Sequence, residues 1–488
     1  MSKRQVYSSQ MVGGGEKVGK TLPESTVGGN MGKEGKGKFS MRSIMRLNQL
    51  DYKMPANASA VAQRQYARSW FDKNNYNGTE TAVCFCNTGG AFVDGCNSYL
   101  RFELAIAIDQ AAGENEQTTV GFGQGTAANL FREIRIYSRS GVEMERIRRL
   151  NQHKFMCDKY DRGVDYLASM GTAEGYGYIW DFQAVETTSL KATFAIPLRN
   201  LSGFFAGPGG GVLIPPQLMS GLKIELEFDN FDKIFVGMKT AGSNTTGVTG
   251  ISVTDMALEL DTVTMADSVS RQLHMVASEK GLEYYYRTWD TRVSSIGSSD
   301  FISIESRKAA SRVLMAYTMC QFDSKGSDVG TAQPNFEVDN FKSIGYPVGT
   351  RYQSRIGSLW FPNQEITTDT EAYVQTQWSF GRYQNNEACS QVNVNQFSVS
   401  TPTGPIDPDT QLPTTLDDGY GVIACTFERS NVLDISGVPV NNARTLTVNI
   451  TQGSPFTAGE LPDSRTYIQY VQYVRLARAF VNNVVLRE

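Results

Sequence analysis

The residue types that could do chemistry are thinly spread along the chain. Cys84, Cys86 and Cys96 lie close together, and folding could bring His153 and Cys157 near them. Zinc takes four such ligands, usually as two spaced pairs. One Cys-x-Cys pair without a second leaves ordinary free or buried thiols as the expected state. His153 and His274 are the two histidines of the chain, too few for His-rich metal binding. Gly121-Phe-Gly-Gln-Gly-Thr126 is glycine-rich but lacks the Gly-Lys-Ser/Thr ending of a phosphate loop. It precedes a hairpin pattern, so no helix N-terminus is expected there to hold phosphate, and a β-turn is expected instead. Gly207-Pro-Gly-Gly-Gly211 is expected to be a flexible loop. No Gly-x-Ser-x-Gly nucleophile elbow occurs. Carboxylates pair at Asp229/Asp232, Asp407/Asp409 and Asp417/Asp418, a pattern that serves calcium binding or glycoside hydrolysis. Asp407 and Asp409 sit among prolines 402, 405, 408 and 413, which makes a solvated loop the expectation. Tyr284-Tyr-Tyr286 with Trp289 could stack on bases or sugars, but core or interface packing is the commoner use of such residues. No catalytic residue, cofactor-binding residue or metal ligand is assigned, and no cofactor is expected.

The elements that would position these groups read as strands. Leu100, Phe102, Leu104, Ile106 and Ile108 alternate with Arg101, Glu103, Ala105 and Ala107. Leu222, Ile224, Leu226 and Phe228 alternate with charged residues, and Leu446, Val448 and Ile450 with polar ones. Period two marks half-buried strands. Ile134–Ser138 and Val142–Ile147, joined through Arg139-Ser-Gly141, read as a hairpin. Arg132, Arg135, Arg139, Arg146, Arg148 and Arg149 cluster around it, interleaved with Glu133, Glu143 and Glu145. Mixed signs on paired strands predict cross-strand ion pairs more than a nucleic-acid face. Helical periodicity is scarce. The best candidate is Asp267–Glu279, with Asp267 as its N-cap. Many short strands without alternating helices favour antiparallel sandwiches over a parallel α/β sheet.

Length and charge set the outer limits. A chain of 488 residues exceeds one ordinary domain, and two β units of about 200 residues each fit it. The net charge of −4 excludes the chain as a whole from the strongly basic nucleic-acid binders. Residues 1–50 run the other way, with nine Lys/Arg against three Glu, and the first forty hold nine glycines. Such a segment cannot bury enough apolar surface to offset its ordering entropy, so an extended arm is expected. No stretch is apolar enough for a transmembrane helix, and no secretory leader is expected. The seven cysteines are odd in number and scattered, which points to free thiols in a reducing compartment.

Several of these strands carry a resemblance. Asn97-Ser-Tyr-Leu-Arg-Phe102 resembles the opening strand of the double jelly-roll major capsid proteins of eukaryotic double-stranded DNA viruses, of the virophage, polinton-like virus and adintovirus type. The stretch Gly125–Ile147, followed by Asn151, resembles that family's hairpin. In the second half, Arg355-Ile-Gly-Ser-Leu-Trp-Phe-Pro362 with Glu371-Ala-Tyr373 is similar to a recurrent family segment. Phe427-Glu-Arg-Ser430 with Ile435-Ser-Gly437, and the last strand from Tyr470 to Asn483, are further likenesses. The order and spacing of these pieces over residues 80–488 carry the resemblance.

The resemblance implies an all-β fold of two consecutive eight-stranded antiparallel jelly-roll sandwiches after an N-terminal extended arm. The expected organisation is a glycine-rich basic arm at 1–60, jelly roll one at 61–266, a linker helix at 267–280 and jelly roll two at 281–488. The implied function is that of a major capsid protein without catalysis. Three chains would form a pseudo-hexagonal, hexon-like capsomer that tiles an icosahedral shell in the virion, assembled inside the host cell. Expected partners are the chain itself, as homotrimer and neighbouring capsomers, with penton and minor or cement proteins. The arm could contact genome or membrane on the inside, and no small-molecule substrate is expected. Two alternatives stand beside this. One is a secreted β-sandwich lectin or glycan-active enzyme. The other is a single-jelly-roll capsid protein with a protruding domain.

Overall fold

The computed structural model describes residues 61–487, except 109–117, 123–124, 182–188, 208–211, 232–233, 240–247, 297–300, 323–342, 344–345, 348, 382–389, 400–419, 429–436, 442–443, 452–464 and 481–482. The glycine-rich segment 1–60, Asp232 and the pairs Asp407/Asp409 and Asp417/Asp418 thus lie outside the described residues.

The first half contains β1 (Val61–Trp70), β2 (Asn75–Tyr76), β3 (Thr81–Phe85), β4 (Phe92–Ile108), β5 (Thr118–Gly121), β6 (Phe131–Tyr137), β7 (Glu143–Arg148), β8 (Ile179–Asp181), β9 (Ser189–Pro197), β10 (Lys223–Phe228), β11 (Val236–Lys239) and β12 (Val248–Met265). The second half contains β13 (Leu282–Ile296), β14 (Phe301–Ser306), β15 (Ala310–Phe322), β16 (Tyr346–Pro347), β17 (Arg351–Ile356), β18 (Leu359–Ile366), β19 (Ser398–Val399), β20 (Ile423–Thr426), β21 (Val438–Val440), β22 (Leu446–Thr451), β23 (Arg465–Ala479) and β24 (Val484–Arg487). Each half builds its own sandwich. In the first, the sheet β1-β12-β4-β9 is accompanied by β3-β10-β6-β7. In the second, β13-β23-β15-β20 is accompanied by β14-β22-β17-β18. The main paths therefore hold four strands per sheet, and shorter strands pair at their margins. No sheet mixes described strands of the two halves. Two eight-stranded sandwiches exclude the single-jelly-roll alternative.

Alternation explains the strands. Leu100, Phe102, Leu104 and Ile106 of β4 are buried, as are Ile224, Leu226 and Phe228 of β10 and Leu446, Val448 and Ile450 of β22. Phe102 on one sheet meets Phe131 of β6 on the other edge-on, with ring centroids 5.9 Å apart. The hairpin forms as expected, with Ile134 opposite Ile147 and Arg135 opposite Arg146. Its turn closes through Gly141, whose φ of +80° is in the left-handed region that suits glycine, and whose N–H reaches the Ser138 carbonyl at 2.9 Å.

Four helices matter to the rest: α1 (Leu150–Asp161), α2 (Gly203–Ala206), α3 (Asp267–Glu279) and α4 (Asp369–Ser379). Helix α3 lies where the sequence places it, between the last strand of the first half and the first of the second. Its N-cap differs from expectation. Ala266 is the capping residue, with φ −59° and ψ 145°, and Asp267 already occupies the first turn. There its carboxylate meets the positive end of the helix dipole without capping it. Helices α1 and α4 are new relative to the sequence reading. Helix α4 carries the Glu371-Ala-Tyr373 segment, and its N-cap Thr368 accepts from the Glu371 N–H at 3.3 Å.

Candidate functional site

The groups that might have done chemistry do not converge. Cys84 and Cys86 are buried in the first sandwich, the latter with its N–H on the Leu222 carbonyl at 2.8 Å. Cys96 lies apart, its Sγ 3.9 Å from the Ala206 carbonyl. Cys157 sits beside His153, 3.7 Å from both ring nitrogens. Among the described residues no group of three or more His, Cys, Asp or Glu side chains could hold a metal. The Gly121–Thr126 stretch turns through a Gly125 N–H to Phe122 carbonyl bond of 3.0 Å and runs into a single 3-10 turn, Ala127–Leu130, before the hairpin. Phe122 is buried against Trp180 and Phe194. Asp229 accepts from Asn151 Nδ2 at 2.6 Å and serves as a local tie.

What does converge is the seam between the two sandwiches, and helix α1 lies in it. Ten of its twelve residues are buried, including Asn151, Gln152, His153, Lys154, Asp158 and Lys159. No stripe of this helix faces water, so its polar side chains must find partners inside the protein. They find several in the second half. The Tyr317 hydroxyl lies 2.7 Å from His153 Nδ1, and Gln152 Nε2 donates to Gln321 Oε1 at 2.7 Å. The Tyr470 hydroxyl donates to the Arg149 carbonyl at 2.9 Å, and the Tyr160 hydroxyl to the Tyr420 carbonyl at 2.7 Å. Gln391 donates its N–H to the Lys159 carbonyl at 3.0 Å and its side-chain amide to the Asp158 carbonyl at 2.9 Å. The Lys159 ammonium rests over the rings of Phe155, Tyr176 and Tyr420 at 5.3–5.6 Å.

Charge at the seam is handled by pairing and by neutrality. Burial would pull the Lys154 ammonium down, but Asp158 bonded to it and Glu174 at 3.5 Å hold it above its ordinary value. Burial, with a smaller push from Lys154, drives His153 down to about 3, so its ring is neutral at pH 7. The neutral ring and the Tyr317 hydroxyl share a hydrogen bond through Nδ1. The ring packs between Trp289 and Tyr470, with centroids 4.6 and 4.9 Å away.

The aromatic run Tyr284–Tyr286 belongs to the same seam. Tyr284 and Tyr286 are buried on β13 and donate to the carbonyls of Phe204 and Met144 in the first half. They are packing anchors and offer no open stacking face. Glu145 is the residue that sequence reasoning placed wrongly. It is fully buried, and its carboxylate accepts from the Ser202 hydroxyl and from the N–H groups of Gly203 and Phe204 at 3.1 and 3.2 Å. Burial raises its pKa, partly offset by those donors. The signal was available: Glu145 has the parity of Ile147, the buried face of β7. Its neighbours of opposite parity make the expected ion-pair ladder. Glu133 meets Arg135 at 2.6 Å and Arg146 at 2.5 Å, and Arg135 reaches Glu227 at 3.0 Å.

Gly203 of α2 marks a close approach of the two halves. A Cβ built there would lie 1.6 Å from the Arg287 carbonyl oxygen of β13. Only glycine lets the two backbones pass this close.

Comparison with known proteins places this geometry. No family model matches the chain, and no curated protein matches it. Solved structures do. The Faustovirus major capsid protein aligns with a TM-score of 0.58 at 9% identity, over 90% of this chain and 94% of its own. VP54 of PBCV-1 aligns with a TM-score of 0.55 at 10% identity, over 90% of this chain and 99% of its own. The fold is the double jelly roll. The mavirus major capsid protein shares it as well, with a TM-score of 0.50 at 14% identity over 89% of this chain. In the double jelly roll of this chain, the seam just described joins roll to roll.

Two outcomes are expected from the seam. Gly203→Ala forces a methyl group into the Arg287 carbonyl and should destabilise the protein by about 3 kcal/mol, as overpacking does. Denaturant unfolding checks this, and an unchanged midpoint would remove Gly203 from its assigned role. The second concerns pH. The unfolded chain protonates His153 below about 6.5, while the folded chain resists until about 3. Stability should therefore fall with pH across that window, by up to about 1.4 kcal/mol per unit from this residue. His153→Gln should be less stable at neutral pH but lose about 2 kcal/mol less between pH 7 and pH 5. Equal losses in the two proteins would mean that His153 is not held neutral.

Proposed function

We propose that this chain is the major capsid protein of an icosahedral virion of a double-stranded DNA virus and that it has no catalytic activity. The observation that carries this is end-to-end agreement in fold. About nine-tenths of this chain aligns with nearly the whole length of major capsid proteins. The dispersal of the reactive side chains supports the same reading. The glycan-binding alternative is weakened, because Tyr284 and Tyr286 of the aromatic run it would use are buried.

In this proposal, residues 61–266 and 281–488 are the two rolls, 267–280 link them, and 1–60 are an arm. Three copies place six rolls around one axis as a pseudo-hexagonal capsomer. Neighbouring capsomers, penton proteins and minor or cement proteins complete the shell. The positive charge of the arm suits an inner position, against genome, membrane or adjoining capsomers.

Light scattering after gel filtration should give a mass near three times 53.8 kDa. A monomer across a range of concentration and salt would count against the capsomer. Deleting residues 2–40 should leave the trimer intact and impair shell formation in electron micrographs. Normal shells from that variant would exclude the tying role of the arm.

A further inference from the structure

Strand β1 is held to its sheet with little burial of its side chains. It is the edge of β1-β12-β4-β9, paired with β12 from Val61 opposite Met265 to Trp70 opposite Ala257, with a bulge between Val61 and Gln63. Of its ten residues only Ser69 is buried, while Tyr66 and Trp70 are 60% and 55% exposed. Little apolar burial holds it.

Ionic contacts take that place. Arg64 Nε lies 3.0 and 2.9 Å from the two Asp261 oxygens, and its Nη2 lies 2.8 Å from Asp94 Oδ2. Arg68 Nε reaches Glu259 Oε1 at 2.5 Å. The three carboxylates belong to β4 and β12 and are 2–6% exposed. Arg64 and Arg68 are about half exposed, so the pairs are open to screening from the arginine side. Asp94 has further donors in Asn97 Nδ2 at 2.8 Å and the Cys96 N–H at 3.1 Å. Arg101, opposite Ala257 on β4, is the other cation near this row. The β6–β7 hairpin makes a useful contrast. It has a similar ion-pair ladder, yet Ile134, Ile136 and Ile147 anchor its other face in the core.

We propose that β1 is a salt-released clasp. Its two arginines, four residues apart, seat it over Asp94, Glu259 and Asp261. Screening of those pairs lets the strand lift as a unit while the sandwich stays folded. Release uncovers three carboxylates and opens the edge of β12 to another extended strand. The clasp is a property of the single chain and stands or falls apart from the capsid proposal.

Hydrogen exchange of the full-length protein, followed by mass spectrometry, tests it. Salt is raised from about 0.1 M to about 1 M, which shortens the screening length from about 10 Å to about 3 Å. Amides of residues 61–70 should then exchange roughly tenfold faster, with little change in β6–β7. The double variant Arg64→Gln, Arg68→Gln should exchange fast at both salts, with the rest of its pattern unchanged. Salt-independent protection of β1 would overturn the clasp. So would protection of β1 retained in the double variant, or acceleration shared equally by the whole chain.

Discussion

A twelve-residue helix with no face toward water sets the terms for the rest of the molecule. A buried helix that carries a histidine, two lysines, two aspartates, a glutamine and an asparagine is costly unless its buried polar groups find partners. Helix α1 finds several of them in the other half of the chain. Through Tyr317, Gln321, Gln391, Tyr420 and Tyr470, the second roll supplies the hydrogen bonds that the first roll lacks. The two sandwiches are thus separate in their sheets and joined in their polar accounting. Glu145 repeats the principle on a smaller scale, tying β7 to the start of α2 just where Gly203 passes under Arg287.

That arrangement explains what the sequence could and could not tell. The strands were legible because each roll has one wet and one dry face, and period two survives in β4, β10 and β22. The hairpin was legible from Gly141 and the alternation on either side. Helix α1 was not, because burial on every side erases the amphipathic stripe by which a helix is recognised. Tyr284 and Tyr286 were open to two readings, and only their donation to carbonyls of the first roll decides for packing. Glu145 was misjudged by counting charges in the hairpin before counting parity.

Several of the reactive groups among the described residues are engaged in structure. His153 is kept neutral and hydrogen-bonded to Tyr317 between rings. Four of the described cysteines are buried, and the other two are partly covered. The Lys159 ammonium, in its ring of aromatics, closes a corner of the seam.

The seam also bears on how such a chain can drift. A strand of either sheet asks only for apolar side chains at alternate positions, a demand that a great many sequences meet. Identities of 9–14% with proteins of the same fold are what such tolerance permits. The seam asks for matched pairs: His153 with Tyr317, 164 residues away, and Gln152 with Gln321, 169 residues away. A change on one side must be answered on the other before the next can be accepted. The two rolls are therefore inherited together, and covariation between distant columns, more than conservation within any one, is where their common ancestry would be written.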